Sequence, residues 1–162
     1  MILDIFTLFH VALSLVGIAA GVVVLAGLLV AERRDGWTSV FLITTAATSV
    51  TGFMFPFHGF TPGIAIGILS VIILAIAIPA RYHFHLAGAW RRTYVITAVL
   101  ALYLNVFVLV VQLFRRVPAL KAIAPTQSEP PFAVTQLAVL VLFLVLGTLA
   151  TIRFQHEPLH AA

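Results

Sequence analysis

A pattern used by zinc peptidases occurs near the C-terminal end of the sequence. His156, Glu157 and His160 match His-Glu-x-x-His, which on a helix supplies two zinc ligands and a general base. Pro158 lies inside the pattern, where proline costs about 3 kcal/mol in a helix interior and breaks its hydrogen bonds. Only two residues follow His160, so we expect no further helix to hold the geometry. We interpret "HEPLHAA" as a frayed tail and predict no metal site there.

Other histidines offer weaker possibilities for metal or haem chemistry. His83 and His85, combined with His156 and His160, have an acceptable composition for zinc or copper. Nothing in the sequence fixes the tail near the first pair, so we interpret His83 and His85 as residues of an interfacial loop. Bis-histidine ligation of haem needs two histidines on facing helices. Only His10 lies clearly inside an apolar run.

Five polar side chains within or beside apolar runs are the best candidates for a binding site: His10, Ser14, Asn105, Gln112 and Gln136. An unbonded amide in hydrocarbon costs several kcal/mol, so the amides should turn inward and find partners. An ionisable group in a membrane span is a functional candidate by default, which makes His10 the leading one. We predict a polar cluster that is either a pocket for quinone or haem b, or a hydrogen-bond network that locks the helices together.

The composition places these residues in a membrane. Hydrophobic types make up 62% of the 162 residues and charged types 9%, against about 25% charged in a soluble domain. The mean hydropathy is +1.17. A chain of about 150 residues buries only about 70% of its surface on folding, which is too little to hide this much apolar surface from water. Lipid must therefore cover the apolar surface that stays exposed. Basic loop residues explain the net charge of +4, and we expect no nucleic-acid partner.

Five apolar runs are long enough to cross the membrane. About 20 helical residues span a hydrocarbon core of about 30 Å, and unpaired backbone is not tolerated in lipid. We predict an all-α integral membrane protein, a five-transmembrane-helix bundle that forms one domain over residues 1–162. Thr61 should cap the third helix, and the longest loop should hold a short amphipathic turn around 117–123. The predicted spans are residues 5–31, 38–57, 61–80, 92–114 and 132–153.

The distribution of arginine and lysine predicts the orientation of the bundle. One side holds Arg33, Arg34, Arg81, Arg91, Arg92 and Arg153, and the other holds Arg115, Arg116 and Lys121. The positive-inside rule then places the N-terminus outside and the C-terminus in the cytoplasm. On this topology the candidate polar residues, together with Thr51 and His58, lie at similar depth in the outer leaflet.

Small residues predict close contacts between helices. Gly17 and Gly21 in the first span, and Gly63 and Gly67 in the third, form GxxxG motifs that let helix backbones approach. These motifs serve either packing within the monomer or a homo-oligomer contact. Hydroxyl side chains of the second span can bond to carbonyls of their own helix, and the alternative is a polar ligand path.

Two stretches, "HLAGAWRRTYVITAVLALYLNVFVLVVQLFRRVPAL" and "APTQSEPPF", resemble a group of small uncharacterised multi-pass inner-membrane proteins of bacteria. The resemblance implies a location in the bacterial inner membrane. It implies no activity, and no functional residue is transferred from it.

Three classes of function stay open. The leading one is a non-enzymatic accessory or structural component that binds membrane lipids or a membrane protein partner. The second is a redox-linked protein that binds quinone or haem b around His10, Asn105 and Gln112. An oligomeric transporter or channel is third, because no span carries a charged residue at its centre. These patterns favour the absence of enzymatic activity.

Overall fold

The computed structural model describes residues 2–56 and 59–156, which form helices and turns without a strand. The first half holds α1 (Ile2–Leu29), α2 (Asp35–Gly52) and α3 (Pro62–Tyr82). The second half holds α4 (Ala89–Arg116), α5 (Pro118–Ile123) and α6 (Pro130–Arg153), followed by a 3₁₀ turn at Phe154–His156. Residues 157–160 of the histidine-glutamate pattern lie outside the described residues.

Four helices are long and apolar enough to cross a membrane, namely Asp4–Leu29 within α1 and the whole of α3, α4 and α6. The chain is therefore an all-helical multi-pass membrane protein. Of the five predicted spans, only these four are supported. The second predicted span ends at Gly52 rather than at residue 57, and its 18 residues rise about 27 Å. It also carries seven serine and threonine side chains, which lower its hydropathy.

Local signals determine where two of the helices begin. Thr61 caps α3 as predicted, because its Oγ1 accepts a hydrogen bond from the Ile64 N–H at 3.3 Å. Gly88 precedes α4 with a φ of 53°, a left-handed conformation that glycine adopts without strain. The fourth helix consequently begins at Ala89, three residues before the predicted start, and includes Arg92 in its first turn.

The connection from α4 to α6 is built from short-range hydrogen bonds. The predicted turn around 117–123 is confirmed as α5. Glu129 then accepts hydrogen bonds from the hydroxyl and the N–H of Thr126, at 2.8 and 3.2 Å, and from the N–H of Ser128 at 3.1 Å. Desolvation raises the pKa of Glu129, but these hydrogen bonds together outweigh it and hold the pKa below its usual value.

Contacts between helix ends show that the five long helices alternate in direction. Arg153 donates to the Leu29 carbonyl at 3.2 Å, and the Ser39 and Tyr82 hydroxyls are 3.0 Å apart. These contacts join the ends of α1 and α6, and the start of α2 with the end of α3. We call this side the arginine end, and it holds Arg33, Arg34, Arg81, Arg91, Arg92 and Arg153.

The fourth helix lies at the centre of the bundle. It contributes eleven buried residues and packs against α1, α3 and α6. The first helix packs along α2, and a Cβ atom at Gly21 would lie 2.6 Å from Leu102 and 2.9 Å from Phe41. The first GxxxG motif therefore faces helices of its own chain. A role of Gly17, Gly21, Gly63 and Gly67 in an oligomer stays a prediction.

We predict that Gly21→Ala destabilises the bundle, because its methyl group has no room between Leu102 and Phe41. Overpacking of this kind costs about 1–3 kcal/mol. Gly63→Ala is the matched control, since a Cβ there meets only Thr61 Oγ1 at 3.7 Å, an ordinary contact. Thermal unfolding in detergent measures both variants, and equal loss of stability in the two would contradict the prediction.

Candidate functional site

His10, the leading residue of the predicted polar cluster, lies against the C-terminal part of α2. Its Nδ1 is 2.8 Å from Thr51 Oγ1, and the Phe55 ring stands edge-on at 5.2 Å between centroids. The Thr51 hydroxyl donates to the Ala47 carbonyl at 2.7 Å, so its oxygen accepts the proton of His10 Nδ1. The neutral ring then presents Nε2 as an acceptor, which suits a hydroxyl donor rather than a quinone carbonyl.

Asn105 joins α4 to α2 in the interior of the bundle. Its Nδ2 donates to Thr45 Oγ1 at 3.2 Å, and both side chains are buried. Gly17 approaches the same place from α1, because a Cβ there would lie 3.1 Å from Thr44 Oγ1 and 3.4 Å from Thr45 Oγ1. Three helices thus meet around one threonine–asparagine hydrogen bond.

The remaining predicted residues contact other parts of the bundle. Gln136 Nε2 donates to the Phe107 carbonyl at 3.2 Å, and Gln112 Oε1 accepts from Arg116 Nε at 3.4 Å. Ser14 is half-buried on α1. No hydrogen bond of the described residues joins two of the five candidates, and His58 lies outside those residues. Whether they form a binding pocket stays a prediction.

Hydroxyls of the second helix mostly bond to their own backbone, as one reading of the sequence predicted. Thr44 donates to the Val40 carbonyl at 2.7 Å and Ser49 to the Thr45 carbonyl at 2.9 Å. Thr48 Oγ1 is buried without a hydrogen-bond partner among the described residues. The second helix therefore offers few free donors to a ligand path.

The arginine end contains a buried charge that the sequence did not reveal. Arg81 is 9% exposed, its guanidinium contacts the Asp35 carboxylate, and it lies 5.4 Å from the centroid of the Tyr94 ring. A buried cation must be paired, because its desolvation is otherwise uncompensated. The sequence pattern predicts arginines that set the topology and meet lipid headgroups, and it does not predict a buried one. The sequence signal for this ion pair was Asp35, which is one of only five acidic residues.

An open groove of about 420 Å³ runs between α4 and α6 toward the arginine end. Its lining residues recur at intervals of three and four along each helix, so one face of each helix forms a wall. Most of them are apolar, and the α4 wall consists of Arg92, Ile96, Val99, Leu100 and Tyr103. The opposite wall consists of Leu140, Phe143, Leu144, Gly147, Thr148, Thr151 and Ile152 of α6 and Gln155 of the 3₁₀ turn that follows it.

A second cavity of about 640 Å³, which we call the polar basin, adjoins this groove. It lies where α3 turns into α4 and shares Arg92 and Gln155 with the groove. Its other lining residues are His85, Leu86, Ala87, Gly88, Ala89 and Arg91. His85 and Leu86 both have a positive φ, of 49° and 58°, which is strained for residues with a side chain.

The groove has a mostly apolar lining whose threonine hydroxyls are bonded within α6. Thr148 and Thr151 donate their hydroxyl protons to carbonyls of α6, both at 2.7 Å. Its described lining contains no carboxylate and no imidazole that could act as a general base. No family model, curated protein or solved structure matches this chain. The groove therefore offers a ligand mostly apolar walls and one cationic side chain, Arg92, at its end.

We predict that Asp35→Ala lowers the free energy of unfolding by about 1–3 kcal/mol, because Arg81 keeps a buried charge without its acceptor. Glu32→Ala is the matched control. It removes the partner of Arg34 in an exposed ion pair of 3.4 Å, which should cost less than about 1 kcal/mol. Thermal unfolding of both variants checks this prediction, which is wrong if Glu32→Ala is the more damaging change.

Proposed function

We propose that this protein is a non-enzymatic accessory component of the membrane that binds lipid in the groove between α4 and α6. The groove itself carries the proposal, since it is an apolar cleft on the lipid-facing side of the bundle. Residues 92–103 of α4 rise about 16 Å along it, which is close to half of a hydrocarbon core of about 30 Å. An acyl chain of one leaflet therefore fits its length.

The shape of the groove depends on how α6 sits against α4. A Cβ at Gly147 would lie 3.2 Å from Val99 Cγ1, so the two helices approach closely at this glycine. Farther along, the Tyr103 and Phe143 rings meet at 5.7 Å between centroids, and both line the groove. A void there would lose dispersion contacts, and apolar walls do not hold water. A hydrocarbon chain is the occupant that fills this space.

Binding of a redox cofactor near His10 is the second candidate. The hydrogen bond from Nδ1 to Thr51 supports it, because it leaves Nε2 as an acceptor for a quinol hydroxyl. Haem b receives less support, because His10 is the only histidine within the four candidate spans of the described residues. A Soret band in the absorption spectrum of the purified protein would favour haem b over a quinol.

We also propose that α2 crosses the membrane as a fifth span, in the inner membrane of a bacterium. The alternating directions of the long helices support the crossing, since α2 contacts α3 at the arginine end and α1 through His10 at the other. The excess of arginine at the arginine end favours a cytoplasmic C-terminus and an external N-terminus. The bacterial location follows from the sequence resemblance alone.

Reporter fusions test this topology. Fusions at the N-terminus and at the C-terminus should report opposite sides of the membrane, because five crossings separate them. A third fusion, after Gln127 in the connection from α5 to α6, should report the same side as the N-terminus. If both termini lie on one side, α2 does not cross, and the proposed fifth span is wrong.

We predict that Leu144→Trp, which fills the groove, reduces the amount of lipid that copurifies with the protein. Displacing two methylene groups at about 0.8 kcal/mol each corresponds to about a tenfold loss. Leu142→Trp is the matched control, because Leu142 is also exposed on α6 but does not line the groove. Native mass spectrometry counts the retained lipids, and equal retention by the two variants would refute groove binding.

A further inference from the structure

We propose that the groove and the polar basin together bind one anionic phospholipid, with an acyl chain in the groove and the phosphate at Arg92. This inference rests on the proposed lipid-binding function and adds the class of headgroup. It depends on the continuity of the two cavities, the charge of the polar basin and its depth in the membrane.

The two cavities share a boundary of two side chains. Arg92 and Gln155 line both the groove and the polar basin, one from each wall. On one side of this boundary the walls are mainly aliphatic and aromatic, and on the other they carry histidine, arginine and backbone groups. A ligand that occupies both cavities must therefore be apolar along one part and polar at its end.

The described lining of the polar basin includes two arginines, Arg91 and Arg92. Arg92 is exposed and has no hydrogen-bond or ion-pair partner among the described residues. Arg91 donates to the Phe154 carbonyl at 3.4 Å and lies 5.6 Å from the centroid of that ring, which positions its guanidinium beside the basin. No carboxylate is among the described residues of the lining. The charge of the basin therefore favours an anionic headgroup.

The two carboxylates that the structure describes elsewhere at the arginine end are already engaged. Asp35 pairs with Arg81, and Glu32 pairs with Arg34. Neither lines the polar basin, so neither neutralises Arg92. A guanidinium presents parallel N–H donors that match the oxygens of a phosphate, and the Gln155 amide can supply a further donor.

Aromatic residues indicate the depth of the polar basin. Phe84 and Trp90 stack at 3.9 Å between centroids with an interplanar angle of 1°, directly beside the turn that forms the basin. Tryptophan is enriched at the membrane–water interface. The basin therefore lies at headgroup level while the groove extends into the acyl region, as a phospholipid requires. Free phosphate would leave the groove unfilled.

The full-length protein, purified in detergent, tests the inference with two probes that have identical acyl chains, phosphatidylglycerol and phosphatidylcholine. Native mass spectrometry should show at least about fivefold preferential retention of phosphatidylglycerol, as expected for one arginine near an anionic headgroup. Arg92→Gln should abolish the preference, so that the retention of phosphatidylglycerol falls to that of phosphatidylcholine. Arg115→Gln, an exposed arginine at the opposite end, is the matched control and should keep it.

The outcomes separate this inference from the function on which it rests. Equal retention of the two lipids by the unmodified protein overturns the headgroup assignment but leaves groove binding intact. Equal retention by Leu144→Trp and Leu142→Trp overturns groove binding itself. A preference that survives Arg92→Gln, or that Arg115→Gln also removes, refutes the role of Arg92. Displacement of phosphatidylglycerol by inorganic phosphate would show a site for free phosphate and would also overturn the inference.

Discussion

The bundle depends on the close approach of α1 to α2 and α4 at Gly17 and Gly21. Burial of apolar surface does not drive helices together in lipid, because lipid tails are as apolar as leucine. Dispersion and hydrogen bonds must do so, and both need short distances. The missing side chain of Gly21 admits Phe41 and Leu102, and Gly17 lies on the Thr44 and Thr45 hydroxyls. The Asn105 amide can then reach Thr45 from α4.

A second constraint acts where the helices meet the interface. Arg81 ends α3 with a guanidinium that is shielded by Tyr94 and paired with Asp35 at the start of α2. The Asp35 carboxylate is largely exposed, but its loss would leave the buried Arg81 charge without its acceptor. The pair therefore specifies where α2 begins relative to α3. The two charges of this pair neutralise each other. Asp35 is therefore engaged with Arg81 and does not neutralise Arg92 on the neighbouring helix.

Sequence reasoning predicted the features that local rules determine. The cap at Thr61, the short helix α5 and the self-bonded hydroxyls of α2 depend on a few neighbouring residues. The early end of α2 was missed because hydropathy continues through "FMFPF" after the helix stops. The Arg81–Asp35 pair was missed because it joins residues 46 positions apart. The candidate polar residues were placed on inward faces, but their separate partners could not be derived without helix rotations.

The groove was hardest to foresee, because a lipid-facing wall and a packing wall have the same composition in a membrane protein. The difference lies in how few residues of α6 are buried. Only Ala150 of α6 is buried, whereas α4 contributes eleven buried residues to the other contacts. Gly147 permits a close approach to Val99, and the Tyr103 and Phe143 rings line the groove beyond it. A helix that buries so few of its residues leaves a cleft beside its neighbour, and under the proposed function that cleft binds lipid. The least buried of the four candidate spans therefore forms one wall of the proposed binding surface.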